Sequence, residues 1–160
     1  MSFVIKKDAL TRREPEGLER WVEYQPGVKF LIRGLSHRFV QVGMEAKREQ
    51  QSHVYQRYNV GDRAALEQGK TREELGNEML GELIVADWKG LRLEDGSALS
   101  YAPETATAIF SAPEYQDLAV WAMAQSVEIS KEFNARVEKR MGKSLSATAG
   151  KRENPEGAKK

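Results

Sequence analysis

Four groupings hold side chains of types that could do chemistry. Ala64-x-x-x-x-Gly69-Lys70-Thr71 has the relaxed form of a phosphate-binding loop, with alanine at the first glycine position. Such a loop aims backbone N–H groups at phosphate oxygens from a glycine-rich bend after a buried parallel strand. Here Gly61-Asp62-Arg63 precedes it, which is not strand-like, and no strand–helix–strand alternation surrounds it. Thr71-Arg72-Glu73-Glu74 has the form of a helix capping box, which gives Thr71 a structural use.

The other three groupings are weaker. His37 and His53 lie sixteen residues apart, about four and a half turns of a continuous helix, too far to share a metal. Asp87, Glu94 and Asp95 are carboxylates near Trp88, a combination that could suit acid–base work or a divalent cation. They come with no partner base or nucleophile, and a helix end plus an Asp-Gly turn accounts for all three. Ser97, Ser100 and Ser111 lack the context of a nucleophile elbow. The expectation is a non-enzyme with no cofactor and no metal.

The elements around these residues can be read from pattern. Trp21–Tyr24 and Val28–Ile32 are β-branched and aromatic runs separated by Gln25-Pro26-Gly27, which predicts a hairpin with Trp21, Phe30 and Ile32 in one alternating phase. Ser36 can cap a helix from His37 to about Tyr58, with a well-solvated middle at Lys47–Ser52. Residues 62–69 read as a helical turn or loop. From Thr71, the spacing of Leu75, Met79, Leu83 and Ile84 predicts a helix to about Asp87, despite Gly76 and Gly81. Leu91, Leu93 and Leu99 around Asp95-Gly96 predict an irregular excursion or a small hairpin.

Pro103 suits the first position of a helix through about Phe110, and Pro113 the start of the last one. Residues 114–140 contain neither glycine nor proline and could form ~40 Å of helix. Its apolar face is marked by Leu118, Trp121, Ala122, Gln125, Ile129, Phe133 and Val137. The predicted class is mainly α with a small N-terminal β-hairpin (α+β), as one helical domain with a long C-terminal helix. Residues 1–18 read as an arm, with an extended piece at Phe3–Ile5. Residues 19–140 form the domain, and 141–160 a basic flexible tail. On this reading Leu83–Pro103 is a structural connector.

Composition bounds the partners. The chain of 160 residues has 40% hydrophobic and 31% charged residues, a net charge of +1 and no cysteine, so disulfides and thiolate metal sites are excluded. No apolar run approaches the ~18 residues of a membrane span, so no membrane partner is expected and the cytoplasm is the expected compartment. Charge is segregated: residues 81–128 carry a net −6 and residues 139–160 a net +5. A basic end could hold nucleic acid by counterion release. It lacks stacking aromatics and follows an acidic body, so a solubilising or partner-binding role is favoured.

A family resemblance rests on particular residues. Val28-Lys29-Phe30-Leu31-Ile32-Arg33-Gly34 in the hairpin is followed by a charged helix and by Ile84-Val85-Ala86-Asp87-Trp88-Lys89-Gly90-Leu91. Asp95-Gly96, Tyr101-x-Pro103-Glu104 and a long last helix come next. Over about residues 20–140 this order resembles the tail assembly chaperones of tailed bacteriophages, with Asp87, Trp88, Gly90, Gly96, Tyr101 and Pro103 as the motif positions. The resemblance implies a non-enzymatic protein of the host bacterial cytoplasm, absent from the finished virion. It would keep the tape-measure protein soluble and recruit major tail-tube subunits around it. Homo-oligomers are compatible with that role, and Trp121, Phe133, Lys139 and Arg140 are the expected partner-binding positions. In such phages a frameshifted, longer product of the gene is common. The alternative reading is a small nucleic-acid-associated or regulatory protein that uses the basic C-terminal tail.

Overall fold

Pro26-Gly27 reverses the chain between β1 (Glu19–Gln25) and β2 (Val28–Arg33), which pair antiparallel as the hairpin pattern predicts. The computed structural model describes residues 17–149. The rest of the expected arm, including Phe3–Ile5, and the tail from residue 150 lie outside the described residues. Leu18, read as part of the arm, is fully buried, and its carbonyl accepts from the Gly34 N–H at 2.8 Å.

The hairpin register differs from the expected phase. Trp21 pairs with Leu31 and Val22 with Phe30, so Phe30 and Ile32 face the core while Trp21 lies on the opposite face, 38% exposed. A register shift between Glu23 and Gln25 sets this phase.

The larger correction concerns the helix expected to reach Asp87. It ends as α2 (Arg72–Glu78), widens into a π-helical segment at Met79–Ile84, and gives way to β3 (Val85–Lys89). β3 joins the free edge of β2, so the sheet has three antiparallel strands in the order β1-β2-β3. Two forces outweigh the helical spacing of the leucines. The unpaired N–H and C=O groups of β2 need partners, and pairing sets Trp88 opposite Phe30 on the core face.

The helices cover that face. α1 (Arg38–Asn59) is capped by His37 rather than Ser36, its Nδ1 accepting from the Phe39 N–H at 3.1 Å. A 3₁₀ turn at Arg63–Gln68 leads to α2, whose capping box of Thr71 and Glu74 is fully formed. α3 (Pro103–Ser111) carries Pro103 in its first turn. A second 3₁₀ turn at Pro113–Tyr115 opens α4 (Gln116–Ala149), which runs on past Arg140, where the sequence reading ends it. The core combines Phe30 and Ile32 of β2, Val85 and Trp88 of β3, and Leu80, Leu83 and Ile84 of the π segment. Ala106 and Phe110 of α3, Val40 of α1, and Leu118, Ala122 and Ile129 of α4 complete it.

Candidate functional site

The Leu83–Pro103 stretch is built from the inside out. Trp88 is buried and makes edge contacts with Phe30 at 6.3 Å and Tyr101 at 5.0 Å. Its indole Nε1 donates to the Leu99 carbonyl at 2.7 Å, which fixes the return of the following hairpin onto β3. The Tyr101 hydroxyl lies 2.9 Å from the Gly81 carbonyl and 2.8 Å from the Val85 carbonyl. Its single proton is shared between two acceptors at the junction where the π segment becomes β3. Burial pushes the phenol above its ordinary range, with Arg33 acting against the shift.

Gly90 has φ +85°, and an added Cβ would overlap the Gly27 carbonyl oxygen in the β1–β2 turn. Only glycine meets both constraints. Gly81 answers a second close approach, because a Cβ there would collide with the backbone of Thr107 in α3. Asp87 accepts the Trp88 N–H at 2.8 Å.

Leu91–Leu99 forms the small hairpin. Leu99 N–H donates to Leu91 C=O and Leu93 N–H to Ser97 C=O, both at 2.9 Å. At its tip, Asp95 Oδ1 accepts from the Ser97 N–H at 2.8 Å and the Ser97 hydroxyl at 2.5 Å, and Gly96 has φ +84°. Those two bonds, the hydroxyl's first, hold the Asp95 carboxyl below its ordinary range.

The structure does not gather the chemical candidates into one site. His37 caps α1 while its Nε2 lies 3.9 Å from Glu19, and exposed His53 lies 4.0 Å from Glu49. Along Ala64–Thr71, the Gly69 N–H donates to Leu66 C=O and the Lys70 N–H to Gln51 Oε1, so these donors are engaged within the protein. The Lys70 ammonium contacts Glu78 at 2.5 Å. Ser97 is held by the Asp95 turn, and Ser111 donates to the Thr107 carbonyl at 2.7 Å. Among the described residues, no group of three His, Cys, Asp or Glu is placed to hold a metal ion.

Of the expected partner positions, Trp121 is half-buried and packs its ring on Tyr24 at 4.9 Å and Phe30 at 5.8 Å. Phe133 is half-buried against the core, and Lys139 and Arg140 are exposed on α4. Sequence reasoning missed Ser126 and Ser130 on the same helix. The buried Ser126 hydroxyl donates to Arg33 C=O at 2.8 Å, and Ser130 Oγ accepts the Ser36 N–H at 2.9 Å. Their four-residue spacing on the apolar stripe was the available signal. It also missed a groove of about 670 Å³ where the leucine hairpin meets α3 and the start of α4, lined by Leu91, Leu93, Leu99, Ile109, Tyr115 and Leu118.

Twelve large apolar side chains are exposed in the described part, and six of them belong to α1 and the turn after it: Phe39, Val42, Tyr55, Tyr58, Val60 and Leu66. Ion pairs tie its inner side to α2 and the π segment. Lys47 of α1 bridges Glu78 at 2.9 Å and Glu82 at 2.8 Å, and Lys70 joins the same Glu78. Burial alone would raise the Glu78 pKa, but hydrogen bonds from Lys70 and Lys47 outweigh it and hold the carboxyl below the ordinary range. No helix among the described residues is long and apolar enough to cross a membrane.

Against known families, the model described as YdaY prophage protein matches residues 37–143, from the cap of α1 into the far part of α4. No curated protein and no solved structure matches the chain.

Proposed function

The chain belongs to the YdaY prophage protein family, and on that premise we propose that it is a phage tail assembly chaperone. In this reading it is a non-enzymatic protein of the bacterial cytoplasm that keeps the tape-measure protein soluble and recruits tail-tube subunits during tail assembly. One observation carries the reading: among the described residues, half of the exposed large apolar side chains sit on α1 and its following turn. Apolar surface displayed in this way suits reversible capture of an amphipathic helical client.

The family match supports a phage setting, and the resemblance centred on Asp87-Trp88-Lys89-Gly90-Leu91 supports the tail-assembly role. The experiment is co-expression of the chain with its genomic neighbours. A long helical tape-measure-like protein, or a tube protein, is expected to be retained on the tagged chain and to gain solubility. Retention of neither, with no gain in solubility, rejects the proposal. Gene order is an independent check, since a chaperone gene is expected just upstream of a very long open reading frame with coiled-coil character.

A further inference from the structure

α4 carries two complementary surfaces at its two ends. It spans 34 residues, about 50 Å, but its last buried side chains among those described are Ile129 and Ser130. The apolar stripe does not stop there. Ile129, Phe133, Val137 and Met141 follow at four-residue steps, and their exposure climbs from buried through half-buried to 36% and 60%. Leu145 continues the spacing in the sequence. Arg136 and Arg140, both exposed, flank the two exposed members on one side, with exposed Glu138 on the other side and Lys139 on the far face of the helix. The result is a helical arm with an apolar stripe and a basic margin.

The groove beside the start of α4 has the opposite character. Its apolar lining includes exposed Leu93 and Tyr115, and Leu118 forms part of its wall. Its rim carries Glu94 and Asp95 together with Arg92, and Glu114 and Asp117 are exposed nearby, so the local balance is acidic. This rim belongs to the segment 81–128, whose net charge is −6, while the arm at residues 131–142 carries four basic and two acidic residues. Arm and groove therefore match in both apolar character and charge sign.

We propose that the occupant of the groove is the α4 arm of a second copy of this chain. Val137 and Met141 of one copy lie on Leu93 and Tyr115 of the other, and Arg136 and Arg140 face Glu94, Asp95, Glu114 and Asp117. Since each copy has both halves, two-fold exchange fills both grooves. The proposal is independent of the tail-assembly reading.

The test is sedimentation of the full chain across the micromolar to millimolar range. A species of twice the 18.1 kDa chain mass is expected, with self-association weakening at least about tenfold as salt is raised well above physiological strength. Two variants sharpen the test, Arg136→Glu with Arg140→Glu on the arm and Glu94→Lys with Glu114→Lys on the rim. Each alone is expected to stay monomeric, and mixing the two is expected to restore a heterodimer because both contacts regain opposite charges. A chain monomeric at every concentration overturns the proposal. So does a dimer indifferent to salt and to both variants, or a mixture that fails to associate while each variant keeps the far-ultraviolet circular dichroism of the parent.

Discussion

The connector from Leu83 to Pro103 and the helix α1 are the two most differently built regions of the molecule. In the connector, nearly every feature has a tertiary partner. Trp88 is gripped by two aromatic edges and by the Leu99 carbonyl, Tyr101 ties the π segment to β3, and Gly90 lies against the β1–β2 turn. α1 is held on one side through Val40, Val54 and the Lys47 bridges, and shows Phe39, Val42, Tyr55 and Tyr58 to solvent. The difference separates residues kept for the fold from residues open to a partner. The motif that carries the family resemblance lies in the first group.

If the connector is the structural keystone, its substitutions should cost the most. Gly90→Ala imposes an L side chain at φ +85° and drives its Cβ into the Gly27 carbonyl. Because the obstacle is backbone, the turn itself must move. A loss of at least about 3 kcal/mol in urea unfolding is expected. A Gly90→Ala protein within about 1 kcal/mol of the parent would remove Gly90 from the set of fold-defining positions.

Tyr101→Phe comes next. It keeps the ring against Trp88 and removes one hydroxyl, leaving the Gly81 and Val85 carbonyls without that donor. The expected loss is about 1–2 kcal/mol. Hydrogen exchange should show it at the N–H groups of β3 before those of β1, since the hydroxyl acts at the π-to-strand junction.

That junction also marks the limit of what the sequence disclosed. The hairpin, the capping box at Thr71, the proline-opened α3 and the long last helix follow from local chemistry: a Pro-Gly turn, a Thr-x-x-Glu, a proline at a first turn. The switch from helix to strand at Ile84-Val85 does not. Leu75, Met79 and Leu83 keep helical spacing up to that point, and the deciding influence is the open edge of β2, about fifty residues earlier in the chain. Trp21 was misplaced for a related reason, because its facing depends on the register shift near Gln25 rather than on alternation alone. The groove was invisible because its wall is assembled from a hairpin, α3 and α4, none of which declares it singly.

The bridge from α1 to α2 gives a smaller effect with a distinctive pH signature. Glu78 sits under Lys47 and Lys70 with its folded pKa held below the unfolded value. The folded state therefore binds fewer protons than the unfolded one, so this contribution is full above the unfolded pKa and is lost as pH falls through the folded pKa. Glu78→Gln should lower stability by under about 1 kcal/mol near neutrality, because Lys70 is partly exposed and screened. The deficit should shrink as the parent is acidified through the carboxylate range. A deficit independent of pH would point to lost packing instead of lost charge.

The smallest expected change in stability is also the most informative for function. Tyr55 and Tyr58 are 52% and 42% exposed near the end of α1. Tyr55 has a side-chain hydrogen bond, donated at 3.1 Å by Gln51, which Gln51 can replace with one to water. Changing both tyrosines to serine removes exposed ring surface and opens no cavity, so unfolding should shift by no more than about 0.5 kcal/mol. Retention of a tape-measure-like client in co-expression should nonetheless fall severalfold, because two aromatic contacts are lost from the displayed surface. Stability and capture would then separate between the regions: the connector variants would lose both through unfolding, and the α1 variant would lose capture alone. Undiminished capture by the α1 variant would move the client surface away from the end of α1, and the contrast between the regions would then describe only how tightly each is packed.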